Sequence, residues 1–325
     1  MKSPRNYNFA VLGNAVVDGI AHVDHEILTR FGLHKGDSNT LSHAQMLDLS
    51  NSITVEQFRA GGAGANTAYT LAKLGSRVAF LGQIGVEPTG RFFVEDMLSA
   101  GITLTPPSGT CRTADIFTLI TDDGMRTMVQ CLPPAPSSDD SWIDDNLIEQ
   151  SQHLIIESYV AGSHPAAADY AAKLASRSGA RLILSLASPR AVQAALPVLT
   201  DMILTHNPLV IGNQSEWEIL LQGNDAHTAK KLANTERVVS RSGNGAAYYA
   251  ADNGAVVDSP TQPIPKPTDL TGAGDAFAAG FLHVFTGGGS AQLALQQGHQ
   301  LGRAVVLQLG PRLQNVPEVT SPHSD

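Results

Sequence analysis

Asp269-Leu270-Thr271-Gly272-Ala273-Gly274-Asp275, running straight into Ala276-Phe277-Ala278-Ala279-Gly280-Phe281-Leu282, decides how this chain of 325 residues is to be read. A glycine loop turns into an apolar, small-residue run, the pattern of a buried helix with a ligand-accessible start. Gly272 and Gly274 carry no Cβ, so a ligand can come close to the backbone. The N–H groups of Ala273, Gly274 and Asp275 are expected as free donors at the positive end of that helix. An anion fits there. A carboxylate beside an anion site serves phosphate binding poorly, but it is well placed to take a proton from an attacking hydroxyl. The stretch therefore points to phosphoryl transfer to an alcohol, with Asp275 as the base. A glycine-rich cap before an ordinary core helix is the other reading of a lone Gly-x-Gly, and the full seven residues ending in an acid weigh against it.

These residues resemble the C-terminal signature of the ribokinase-like (PfkB) carbohydrate kinases, Asp-Thr-x-Gly-Ala-Gly-Asp. The resemblance implies that Gly272, Ala273 and Gly274 form an anion hole, that Thr271 borders the nucleotide and that Asp275 is catalytic. Leu270 departs from the pattern, standing where the family has Thr. A second stretch, Gly61-Gly62-Ala63-Gly64-Ala65-Asn66-Thr67-Ala68, opens a helical pattern that runs to Leu74 and stops at Gly75. It is similar to the family's N-terminal signature, in which Gly61 and Gly62 would let an acceptor sugar lie against backbone and Asn66 would bind a sugar hydroxyl. Taken alone it is equally a helix entry with Asn66 exposed.

Further landmarks follow in the family's order. Phe9-Ala10-Val11-Leu12 reads as a buried strand ending in Gly13-Asn14, with Asp18 beyond it. Asn14 and Asp18 are the implied acceptor-binding pair, since a carboxylate at a strand end can receive two hydroxyls; a solvated turn acid is the alternative. Asn213 and Glu216 lie three apart and share a helix face. In the family such a pair organises hydrated Mg2+ through water, and the same residues also make a capping box, so both readings stand. Ser242-Gly243-Asn244-Gly245 is similar to a loop that lines the nucleotide, which assigns Gly243 and Gly245 to it. Arg126 is placed to meet substrate or phosphate, or else is a solvated strand residue. His299, in a helical pattern from Ala291 to Leu309, falls where relatives border the adenine, or is a satisfied core histidine.

Composition agrees with a soluble enzyme. The chain is 42% hydrophobic and 16% charged, with a formal net charge of −9 and no basic run, which argues against nucleic acid or an anionic membrane as partner. The polar start and the lack of an apolar run long enough for a bilayer lead to the expectation of a cytoplasmic protein. Cys111 and Cys131, with no Cys-x-x-Cys, read as small buried hydrophobes.

Strand-like runs at Val78–Leu81, Leu154–Ile156, Leu182–Leu184 and Met202–Leu204 alternate with helical ones near 90–99, 165–176, 190–196 and after Asn213. This predicts an α/β fold, a three-layer core on a mainly parallel central sheet, with ligands at the carboxyl ends of the strands. Two segments break the alternation: 16–39, and 111–132 around the hairpin signal Asp122-Asp123-Gly124. They are expected to form a small antiparallel β lid. The core is then 1–15, 40–110 and 133–325, with Pro133-Pro134-Ala135-Pro136 as the return linker. The resemblance implies ATP and Mg2+, leaves room for a monovalent cation, and allows a homodimer through the lid. Val11 to Asp18 and Gly32-Leu33-His34-Lys35-Gly36 resemble the bacterial adenosine-kinase-like branch. A nucleoside is thus the first acceptor and a free sugar such as ribose or fructose the second. A non-catalytic binding protein with the same fold is the reading from another class.

Overall fold

The computed structural model describes residues 5–109, 111–131, 142–252, 254–313 and 315–317, and the linker at Pro133–Pro136 lies outside them. Among the described residues the strands form two sheets. The larger contains β1 (Tyr7–Leu12), β5 (Val78–Leu81), β6 (Thr103–Leu104), β9 (Ser151–Glu157), β10 (Arg181–Ser185), β11 (Leu209–Asn213), β12 (Arg237–Ser240), β13 (Ala246–Tyr249) and β14 (Val256–Ser259). Its order is β14-β13-β12-β11-β10-β9-β1-β5-β6, parallel from β12 to β6, with an antiparallel hairpin at the β14 edge. Phe9 to Leu12 and Val78 to Leu81 are wholly buried, as strands covered by helices on both faces must be.

The smaller sheet holds β2 (Val16–His22), β3 (Ser38–Thr40), β4 (Gln57–Gly61), β7 (Ala114–Ile120) and β8 (Arg126–Cys131), in the order β3-β8-β7-β2-β4. Alternation of period two divides its faces. Phe117, Leu119, Val129 and Cys131 pack with Met46 and Leu49 of the helix His43–Ser52 into a separate core. Asp18, Ile116, Met128 and Gln130 point the other way, into a cleft shared with the larger sheet.

Three expectations need correction. The lid is mixed rather than antiparallel, because β2 pairs β7 and β3 pairs β8 in parallel. Residues 40–61 go with the lid instead of the core: Thr40 ends β3, β4 pairs β2, and Met46 and Leu49 pack against the lid strands. Met202-Ile203-Leu204 is helical, within Pro189–His206, and the strand is β11. An apolar triplet is too short to separate a strand from the buried stripe of a helix.

The helix that starts at the glycine loop, Ala273–Thr286, packs against Ala291–Val306 and against Ala63–Lys73, the helix that starts at Gly62. No helix among the described residues is long and apolar enough to cross a membrane. A Cβ on Gly280 would lie 2.9 Å from the Gln297 carbonyl oxygen and 2.9 Å from Leu301 Cδ1, so glycine sets how closely the two C-terminal helices approach. Gly280→Ala gains up to ~1 kcal/mol of helix propensity but overpacks by about 1–3 kcal/mol. The net expectation is a fall in Tm of up to about 3 °C. An unchanged Tm in differential scanning calorimetry would mean that this contact does not limit the packing.

Candidate active site

Gly272 caps the helix Ala273–Thr286 with φ +78°, a left-handed conformation costly for any residue with a Cβ. A side chain there would also strike Pro311, 2.5 Å away, whereas a Cβ on Gly274 would meet nothing within 4 Å. Gly274 thus faces the open cleft. Ala273 is a partial exception to the expected free donors, since its N–H bonds the Leu270 carbonyl at 3.3 Å. Gly274 and Asp275, in the first helical turn, have no carbonyl a turn earlier inside the helix. Asp269 braces the loop: one oxygen accepts the Thr271 N–H at 3.0 Å and its hydroxyl at 2.7 Å, and the other accepts the Gly310 N–H at 3.0 Å. Leu270, the departure from the signature, is 69% exposed at the cleft edge, away from these bonds.

The cleft, ≈ 840 Å³, lies at the carboxyl ends of the parallel strands under the lid. Asn66 is buried rather than exposed, and its Nδ2 donates to Asp275 Oδ2 at 3.0 Å. Asp18 enters from the lid. A Cβ on Gly61 would lie 2.2 Å from Asp18 Oδ2, and one on Gly62 (φ +93°) 2.4 Å from the Asn14 carbonyl oxygen. The glycine pair is needed for these close approaches; Gly62 lines the cleft, and Gly61 backs Asp18. Asn14 lines it too, with its N–H donated to Glu157 Oε1 at 2.7 Å. Asn213 and Glu216 do form a reciprocal capping box, Asn213 N–H to Glu216 Oε2 at 2.8 Å and Glu216 N–H to Asn213 Oδ1 at 3.0 Å, and both line the cleft as well.

Besides Gly61 and Ala273, four expected residues are not brought to the cleft wall. Gly243 packs against Pro263, and Gly245 (φ +93°) turns beside the Ser259 carbonyl. His299 bonds that carbonyl through Nε2 at 3.0 Å and lies against the Phe277 ring, and Phe277 lines the cleft. Arg126 is exposed on β8, its charge acting on Asp269. Two residues were missed. Glu157, one position past the Leu154–Ile156 run, is 1% exposed and also accepts the Gly64 N–H at 2.6 Å; an acid at a strand end was its signal. Arg312 reaches Asn66 from 246 residues away, with no local signal.

Burial, before any other cause, lifts the cleft acids out of the usual carboxylate range. Asp275 is pushed up to about 7, with the nearby Glu216 charge adding to the effect and Asn66 and Arg312 opposing it. Glu157 also rises to about 7 and repels Asp275, although two backbone N–H groups hold it down. Asp18 rises to about 6 against the pull of Arg312 and Arg59. A cleft that concentrates buried and half-buried acids beside open helix N–H groups can bind hydroxyls on one side, bind phosphate on the other and accept a proton between them.

A large mainly parallel sheet with a β lid over an acid-and-glycine cleft defines a ribokinase-like kinase. The family model described as "pfkB family carbohydrate kinase" matches residues 40–318. The chain belongs to that family, and it is a phosphotransferase acting on a hydroxyl group of a sugar or nucleoside. Similar proteins include adenosine kinase 2 of Arabidopsis thaliana, 23% identical over 87% of this chain and 89% of that one. Mouse (Mus musculus) ribokinase is 26% identical over 67% of this chain and 68% of its own. Among solved structures, the adenosine kinase of Sinorhizobium meliloti superposes with a TM-score of 0.78 at 26% identity, covering 95% of this chain and 97% of that one.

The raised acids predict a pH signature. A carboxyl whose folded pKa lies above its unfolded value adds stability that is whole below about pH 4 and is lost as pH rises through about 7. Asp275→Asn removes that loss. The variant should therefore gain on the wild-type protein between pH 5 and pH 8, by about 1–4 kcal/mol in ligand-free denaturant titrations. A difference that stays flat with pH would show that Asp275 titrates normally.

Proposed function

We propose that the chain transfers the γ-phosphoryl group of ATP to the 5′-hydroxyl of a nucleoside, adenosine-like in character. The observation that carries this is the placement of Asp275: a half-buried carboxylate at an open helix N-terminus, held by Asn66, in a cleft whose lid side presents Asp18. Asp18 and Asn14 receive the sugar hydroxyls, which leaves the primary hydroxyl toward Asp275 for in-line attack. The N–H groups of Gly274 and Asp275, aided by the helix dipole, take the charge that develops on the transferred phosphoryl group. The lid face carrying Ile116 and Met128 excludes water that would otherwise accept the phosphate.

A magnesium ion fits the donor set. Asn213 and Glu216 line the cleft, and Glu216 and Asp275 repel each other, a repulsion that a cation offsets. Both Glu216 oxygens are already bonded within the capping box, so these residues would hold the ion through its waters. The ion would supply charge neutralisation on the phosphates.

The adenosine kinase relatives favour a nucleoside. So does Tyr159, 43% exposed on the cleft wall, whose ring can face a base. A free sugar is the second reading, favoured by the similarity to ribokinase.

Two measurements test this. Asp275→Asn should lose about 10²–10⁴-fold in kcat with ATP binding intact, as loss of a positioned base does; a variant with more than about a tenth of wild-type turnover has another base. In a panel of nucleosides and sugars with Mg-ATP, read as ADP release, adenosine, inosine or guanosine should have the highest kcat/KM. Tyr159→Ala should raise the nucleoside KM about tenfold, which matches the ~1.4 kcal/mol of a lost aromatic contact, and leave any ribose KM unchanged. Ribose or fructose turned over with equal or higher kcat/KM would transfer the assignment to the sugar reading.

A further inference from the structure

Arg312 lies in the segment that follows the last helix, and that segment is docked on the glycine loop. The Gly310 N–H bonds Asp269, and Pro311 fills the space that Gly272 leaves open. From there the guanidinium crosses to the helix Ala63–Lys73. Its side chain is 11% exposed and held on three sides: an ion pair with Asp96, a contact from Nη2 to Met97 Sδ at 3.5 Å, and the Tyr69 ring 4.7 Å beneath it. Tyr69 is three residues beyond Asn66 and shares its helix face. The remaining donor, Nε, reaches Asn66 Oδ1 at 3.2 Å.

The chemistry of these groups permits one arrangement. A guanidinium has donors and no acceptor, so Asn66 must turn its oxygen to Arg312 and its NH2 to Asp275. Asp275 Oδ2 must then accept, which leaves Oδ1 as the oxygen free to take a proton. We infer that Arg312 is a positioning residue for the phosphoryl-transfer base: held by Asp96 and Tyr69, it sets the face of the Asn66 amide and thereby the oxygen of Asp275 that receives the acceptor's proton. The balance is simple. The acceptor O–H breaks as its oxygen bonds phosphorus, the proton passes to Asp275 Oδ1, and the bond from phosphorus to the leaving diphosphate oxygen breaks.

The other charges around Asp275 do not substitute for it. Glu216 from the helix Gln214–Gln222 and Glu157 from β9 are both acids, and Asp18 from the lid faces Arg312 itself. Lysine is a poor replacement, because a single ammonium cannot hold Asp96, lie flat on Tyr69 and reach Asn66 from a fixed fork.

The inference rests on the reading of Asp275 as base, and the two separate by experiment. Steady-state kinetics with Mg-ATP and the preferred acceptor are compared for Arg312→Met, Arg312→Lys, Asp96→Asn, Asn66→Ala and the double variant Asn66→Ala/Arg312→Met, each checked for fold by circular dichroism. Arg312→Met and Arg312→Lys should each lose about 10–100-fold in kcat, the span for a hydrogen bond to a charged group, with both KM values within about threefold. Asp96→Asn should lose less and in the same parameter. The double variant should be no slower than Asn66→Ala alone, since both act through one amide. Losses that multiply in the double variant, a loss confined to KM, or full kcat in Arg312→Lys would each overturn the inference while leaving Asp275 as base. Full turnover in Asp275→Asn would instead overturn the base reading itself. Should Arg312→Met fail to fold, Arg312→Lys and Asp96→Asn decide the question alone.

Discussion

One hydrogen bond, Asn66 Nδ2 to Asp275 Oδ2, joins the starts of two helices 209 residues apart in the chain. Each helix begins at a glycine with positive φ, Gly62 and Gly272, and each glycine is required by what sits against it: the Asn14 carbonyl in one case, Pro311 in the other. The contact therefore fixes the lid-proximal loop at Gly62 and the loop at Gly272 to one another. Under the proposed function, an acceptor held by the first would be presented to Asp275 in the second without further motion of the core.

The cost of this arrangement is electrostatic. Asp18, Glu157, Glu216 and Asp275 converge in a place where burial disfavours their charged forms, and Arg312 is the cation set among them. A fold selected for stability alone would not place four acids there. The strain is released in steps: backbone N–H groups satisfy Glu157, the capping box satisfies Glu216, and Asn66 satisfies one side of Asp275. What remains unsatisfied faces the cleft, where the proposed function places substrate hydroxyls, phosphate and cation. The residual instability of the ligand-free cleft thus becomes differential affinity for the reacting groups.

The lid follows the same logic on a larger scale. Its strands bury Phe117, Leu119 and Val129 in a core of their own with Met46 and Leu49, while Val17 of β2 and Ala60 of β4 pack into the core of the main body and anchor the sheet there. Its other face, with Asp18, Ile116 and Met128, is thereby turned to the cleft.

Local chemistry was legible along the chain wherever backbone or periodicity dictates it. Gly272 through Asp275 require a left-handed turn and a helix start, Asn213 with Glu216 require a cap, Phe9 to Leu12 require a strand buried on both faces, and Asp122-Asp123-Gly124 require a hairpin. Each depends on neighbours within a few residues, which is the range over which φ/ψ preference and hydrogen-bond geometry act. The family signature added the order of these pieces. Tertiary structure alone decided the partners that have no local signal: β4 crossing to pair with β2, the triplet at Met202 closing a helix instead of forming a strand, Glu157 pinning Asn14 and Gly64, and Arg312 reaching Asn66. A side chain's partner across 93 or 246 residues is set by which elements pack together, and packing is a property of the whole chain that no local pattern encodes.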